Sequence, residues 1–241
     1  VGWGESGFAP VTTQLLRVGG NTKPEDLFQF KRVAQALAEK GLYYNTHVEM
    51  TPVIDAFLDI YEDLNKTVPF KGLRWSFSHL DQIDDVQLER MKKLGMSAQI
   101  HSRPLIQGAL MHKVHGDKAW DMPPFRRVQD SGIRWGLGSD ATAVTTSNPF
   151  YTLGWAITGR MVGGFEVNQA KLTRAEALIA HTRNNAAFAF REDAIGSLQK
   201  GKYADLLVLD RDYTTVPAEQ IKDIKPLLTM VNGKVVYEAK K

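Results

Sequence analysis

A chain of 241 residues is long enough for one large α/β domain or a domain and a half, with ample material for a buried core. Its charged fraction of 24% and hydrophobic fraction of 43% are those of a globular protein and exclude disordered and fibrous classes. A net charge of +3 from scattered basic residues gives no footprint for nucleic acid, and the absence of cysteine removes disulfide scaffolds and thiol nucleophiles, so any bound metal must use His and carboxylates.

The opening VGWGESGFAP has neither a charged leader nor an initiator Met, so the natural N-terminus is expected upstream. No apolar run approaches the ~18 residues that cross a bilayer, and no membrane partner is expected. Strand and helix signals then alternate, the mark of βα units and a parallel sheet. Thr22 and Glu25 read as a capping box with Pro24 in the first turn. Leu27, Phe30, Val33, Ala34, Leu37 and Ala38 follow at helical spacing, and Gly41 supplies the stop. A strand, YYNTHVE, bears His47; Thr51 and Pro52 open the next helix, with Val53, Ile54, Phe57, Leu58, Tyr61 and Leu64 on one face.

The strand from Leu73 to Leu80 delivers His79, a helix runs from about Asp84 to Leu94 and stops at Gly95, and SAQIHS carries His101. The segment from Arg103 to about Lys118 lacks clear periodicity and reads as an active-face loop holding His112 and His115. A helical stretch ending near Ser131 leads into RWGLGSD and Asp140. One helix follows Ser147-Asn148-Pro149; another is opened by the capping box Thr173 to Glu176 and runs through His181, Asn184 and Ala187. Beyond Ile195 come one strand, ADLLVLD, and a hairpin around Asn232-Gly233, the pair that favours a type I′ turn. A hairpin and one strand are marginal alone, so further β structure is expected to pair with them.

Three of these strands end on metal-capable groups. Placed at the C-terminal ends of parallel strands, His47, His79 and Asp140 can converge on one cation at the mouth of a barrel. Singly, each histidine reads better as a hydrogen-bonded residue at a strand terminus; together they favour ligation. Asp140, behind the small Gly138 and Ser139, can also act as general base toward a metal-activated water, its bland alternative being a helix cap. His101 points at the same mouth and could contact substrate or stabilise an oxyanion, with a structural role equally open. His112 and His115 read as solvated loop residues, His181 as a packing histidine. Trp3, Trp75, Trp135 and Trp155 read as core, and the Gly-rich pieces match no nucleotide fingerprint.

The runs GLGSDATAVTTSNPF, LTRAEALIAHTRNNAAFAF, GSLQKGKYADLLVLD and TMVNGKVVYE resemble the C-terminal half of the metal-dependent amidohydrolase superfamily, most closely its YtcJ-like (amidohydrolase 3) branch. The resemblance implies an α/β fold: the C-terminal half of a TIM (β/α)8 barrel, about strands five to eight over residues 1–195, with 196–241 as the C-terminal strands of a small β-sandwich. It implies metal ligation by His47, His79 and Asp140, with Asp140 doubling as general base and His101 at the seventh strand. The first-strand His-x-His ligands and the fourth-strand ligand have no counterpart in this chain. After His47 the family's Ala-Ile-Gly-Asp is replaced by Val48-Glu49-Met50-Thr51, and Ser78 stands where an acid often precedes the sixth-strand histidine.

The reading that follows is a hydrolase of amide or related C–N bonds in a small molecule, using one or two divalent cations, zinc being the expected ion, and assembled with the missing N-terminal half or else self-associating. Two alternatives stay open at the level of sequence. One is a homologue that has lost its metal and serves as a binding module; the other is a metal-independent hydrolase using Glu49 and Asp140.

Overall fold

The computed structural model describes residues 22–141 and 145–240. Trp3 therefore lies outside the described residues. Two compact units divide them, residues 22–101 with 121–135 and residues 102–120 with 136–240.

The first unit is built on parallel strands with helices between them. Helix α1 (Pro24–Glu39) precedes β1 (Asn45–Val48), α2 (Thr51–Asn65), β2 (Ser76–His79), α3 (Asp85–Lys93) and β3 (Ser97–Ile100). Strand β4 (Trp135–Leu137) is next to β3, giving the order β1-β2-β3-β4. Consecutive order with helical crossovers is the arrangement of a partial (β/α)8 barrel. Asn45 pairs with Ser76 and Ser76 with Ser97, so like positions of the three strands stand side by side.

The two faces of this sheet differ chemically. Toward the helices, Phe77, Tyr61, Trp75, Phe57 and Phe30 pack in a buried aromatic cluster, with Phe30 stacked on Phe57 at 4.0 Å. The opposite face is polar. Asn45 Oδ1 accepts from Ser76 Oγ at 2.8 Å, Ser78 Oγ at 2.9 Å and Gln99 Nε2 at 3.3 Å. A barrel interior usually carries branched apolar layers; these short polar residues are accommodated because they bond to one another.

All six apolar positions predicted for the face of α2 are buried. The Thr22–Glu25 capping box does not form: Lys23 occupies the N-cap of α1 and makes no side-chain capping bond, because Pro24 at the first turn moves the start one residue on. Helix α3 carries a capping box of its own, Asp84 with Gln87. It is tied to α2 by Arg90, which donates to Glu62, Asp55 and Asp59. Helix α5 (Phe125–Asp130) completes this unit.

In the second unit, α4 (Pro104–His115) and a 3-10 turn (Gly116–Asp121) occupy the stretch expected to be a loop. Leu105, Gly108 and Met111 are buried at helical spacing, but Ile106, Leu110 and Val114 are exposed apolar residues on the other side, so the sequence shows no amphipathic stripe. Helices α6 (Pro149–Thr158), α7 (Arg174–His181) and α8 (Arg183–Phe188) follow, the last two separated at Thr182. The three late strands β5 (Leu206–Leu209), β6 (Pro226–Val231) and β7 (Lys234–Glu238) form one antiparallel sheet in the order β5-β6-β7. Asn232 and Gly233 turn the hairpin with φ of 50° and 74°, as a type I′ turn requires. Among the described residues no helix is long and apolar enough to cross a membrane.

Candidate metal centre

Three imidazoles meet where the parallel strands end. The ring of His47 lies 3.9 Å from that of His79, and His79 lies 4.3 Å from His101, centroid to centroid. Strand periodicity alone accounts for two of them. His47 is two residues beyond Asn45 and His101 two beyond Gln99, so both continue the polar face.

His79 should not be there by alternation. Ser76 and Ser78 hold the polar face and Phe77 the apolar one, which assigns His79 to the apolar side. The backbone breaks the alternation: His79 has φ 81° and Leu80 φ 57°, both in the left-handed region that costs a non-glycine residue on the order of 1 kcal/mol or more. The Leu80 N–H donates to the Val48 carbonyl at 2.9 Å, and Leu80 itself is fully buried. Packing of Leu80 thus holds the twist that turns the imidazole toward His47.

Carboxylates flank this cluster. Glu49 Oε1 is 3.2 Å from His47 Nε2, and Asp81 Oδ1 is 3.4 Å from His101 Nε2. Asp81 and His101 are both buried, at 2% and 4% exposure, so the pair sits in a medium where an acceptor strongly biases which ring nitrogen carries the proton. Asp81 was missed in the sequence; its only signal is its place two residues after His79. Imidazole nitrogens with carboxylate oxygens suit a borderline divalent cation such as zinc, and three closely spaced rings would repel one another if all were protonated. The donor set fits a metal.

The other predicted residues are placed as follows. Asp140 lies in the second unit, three residues past the end of β4, half-buried and with φ 54°. Beside it the Ala141 N–H donates to Ser139 Oγ at 3.2 Å. His112 and His115 ride on α4 instead of a loop, and His112 is no solvated residue: its Nε2 is 2.9 Å from the Val167 carbonyl and its ring meets Trp120 edge-on at 4.3 Å. His181 ends α7, where burial depresses its pKa. Trp75, Trp135 and Trp155 are core residues as expected.

The sequence profile of the Amidohydrolase family matches residues 8–237. This chain belongs to the amidohydrolase family. Among proteins it resembles, it is 35% identical over 117 residues to an N-substituted formamide deformylase of Arthrobacter pascens, covering 48% of this chain and 21% of that one. It is 28% identical over 173 residues to an imidazolonepropionase of Porphyromonas gingivalis, covering 71% and 38%. In fold it matches a metal-dependent hydrolase from Pyrococcus horikoshii with a TM-score of 0.65 at 21% identity, over 80% of this chain and 38% of that structure. The chain therefore spans well under half the length of these relatives. Amidohydrolases depend on metal, and the strand-end histidines of this amidohydrolase chain are of the kind such a centre requires.

Proposed function

We propose that this chain carries part of the metal centre of a hydrolase acting on an amide or related C–N bond of a small molecule, such as an N-substituted formamide or a cyclic amide. The observation that supports it most is the gathering of His47, His79 and His101 at the ends of adjacent parallel strands. The assigned ligands are His47, His79 and Asp140, with zinc as the ion and one or two ions in the whole enzyme. A bound zinc would supply a water acidic enough to act at neutral pH and would polarise the carbonyl.

The chain's own residues do the rest. Asp140 takes the proton of the attacking water and returns it to the leaving nitrogen. His101, its Nε2 beside the Asp81 carboxylate, contacts the substrate with the other edge of its ring. Leu207, Val208, Val235, Val236 and Tyr237 are exposed on the β5-β6-β7 sheet. We assign residues 1–195 to the barrel and 196–241 to an accessory sandwich, completed by strands from the rest of the protein or, without them, by self-association.

The test is metal content and hydrolysis in the complete protein. Near-stoichiometric zinc, lost in His47→Ala, together with formamide or cyclic-amide hydrolysis that chelation abolishes and zinc restores, is the expected result. A metal-free, fully folded protein, or hydrolysis that survives exhaustive chelation, would overturn the proposal.

A further inference from the structure

Asn185 has none of the roles assigned above, yet its side-chain amide joins three elements. Its Nδ2 donates to the Leu137 carbonyl at the end of β4 at 2.9 Å and to the His181 carbonyl at the end of α7 at 3.1 Å. The other edge of the amide lies against Gly136: a Cβ there would collide with Oδ1 of Asn185 and come within 2.9 Å of Cε2 of Phe188, so β4 carries a glycine where α8 approaches it. Apolar groups alone could make such a helix–strand contact, and the neighbouring Ala186 and Ala187 are buried. An amide costs desolvation at this place, and what it adds is one carbonyl fixed in distance and direction.

We propose that Asn185 is the positioning residue of Asp140, holding the strand end from which that carboxylate is presented; the inference rests on the metal-centre reading above. Leu137 is fully buried and is the last residue of β4, three before Asp140. Packing thins beyond it. Among the described residues a Cβ at Gly138 would meet nothing within 4 Å, Ser139 and Asp140 are half-buried, and a local tie runs from the Ala141 N–H to Ser139 Oγ. Asp140 itself stands at φ 54°, in a region that a non-glycine residue keeps only when its surroundings impose it. In so short a segment, the position and tilt of the Leu137 peptide carry over to the carboxylate, where a displacement of about 0.5 Å already spoils the geometry of a site. Asn185 acts on the metal centre through that peptide, without being a ligand.

The experiment measures the zinc affinity of the complete protein by competition with a chromogenic chelator, and the visible spectrum of its cobalt(II) form. Asn185→Ser can still bond back to the His181 carbonyl from within the helix but cannot reach Leu137, so it should fold while lowering zinc affinity by about 10–100-fold and altering the cobalt band. Asn185→Ala, which leaves a small gap and no collision, should show the same losses. A role confined to packing α8 would cost the same with or without the Asp140 carboxylate. The proposed role would not: in an Asp140→Ala background, Asn185→Ser should lower zinc affinity no further. An equal loss in both backgrounds, or a zinc affinity and cobalt spectrum for Asn185→Ser that match the wild type, overturns the inference and leaves the metal centre standing. A wild-type protein that takes up neither zinc nor cobalt removes the metal centre itself, and the role of Asn185 with it.

Discussion

The imidazoles of His47 and His79 stand 3.9 Å apart although the strand alternation of β2 assigns His79 to the opposite face of the sheet. Two consecutive left-handed residues, His79 and Leu80, produce that meeting. Backbone held in this region is found where the surrounding packing over-determines it and where function benefits.

If the two rings serve one ion, their contributions to binding are not independent. His47→Ala and His79→Ala should each lower zinc affinity by about two orders of magnitude or more, and the double variant should lose less than the sum of the two. Competition with a chromogenic chelator measures all four proteins. Strict additivity would mean that the two rings act at separate places.

Helix α4 depends on a close approach. A Cβ added at Gly108 would lie 2.5 Å from Cγ2 of Val167, closer than real Cβ contacts come. Gly108→Ala should destabilise the protein by about 1–3 kcal/mol in urea unfolding, as overpacked sites do. Val167→Ala in the same chain should return part of that loss.

Tyr61 places its hydroxyl 2.7 Å from Thr46 Oγ1, and both residues are buried. Thr46 also hydrogen-bonds the Tyr44 side chain, so Tyr61→Phe keeps the aromatic packing and leaves the threonine one tyrosine partner, at a cost of about 0.5–1.5 kcal/mol. Adding Thr46→Val takes the partner from the buried Tyr44 hydroxyl and should lower stability further. Chemical denaturation of the three variants decides it.

His181 gives the stability a pH dependence of known sign. Its Nε2 is buried without a hydrogen-bond partner among the described residues, and burial lowers its pKa below the ordinary 6.5. The folded state therefore favours the neutral ring. Above pH 6.5 that contribution is fully present; as pH falls toward the depressed folded pKa the unfolded chain takes up the proton first and stability drops, by up to about 1.4 kcal/mol per pH unit. His181→Asn should flatten the unfolding free energy between pH 7 and about pH 5 relative to the wild type. An unchanged slope would assign the acid sensitivity to other groups.

The local patterns were legible because each is read over a few residues. The six buried apolar positions of α2, the Thr173–Glu176 cap of α7 and the Asn232-Gly233 turn follow from periodicity and turn chemistry. The strand-end positions of His47, His79 and His101 were legible for the same reason. Helix α4 was not, since apolar residues on its exposed side erase the stripe by which an amphipathic helix is recognised.

The sequence by itself determined the alternation of strands and helices, the absence of thiol chemistry and the histidines that close three of the strands, all properties of composition and short-range spacing. Only the tertiary structure decided which way those histidines face and which carboxylates they meet. The left-handed turn at His79 and Leu80, the Asp81–His101 pair and the polar face around Asn45 depend on packing between strands far apart in sequence, and no local period encodes such contacts.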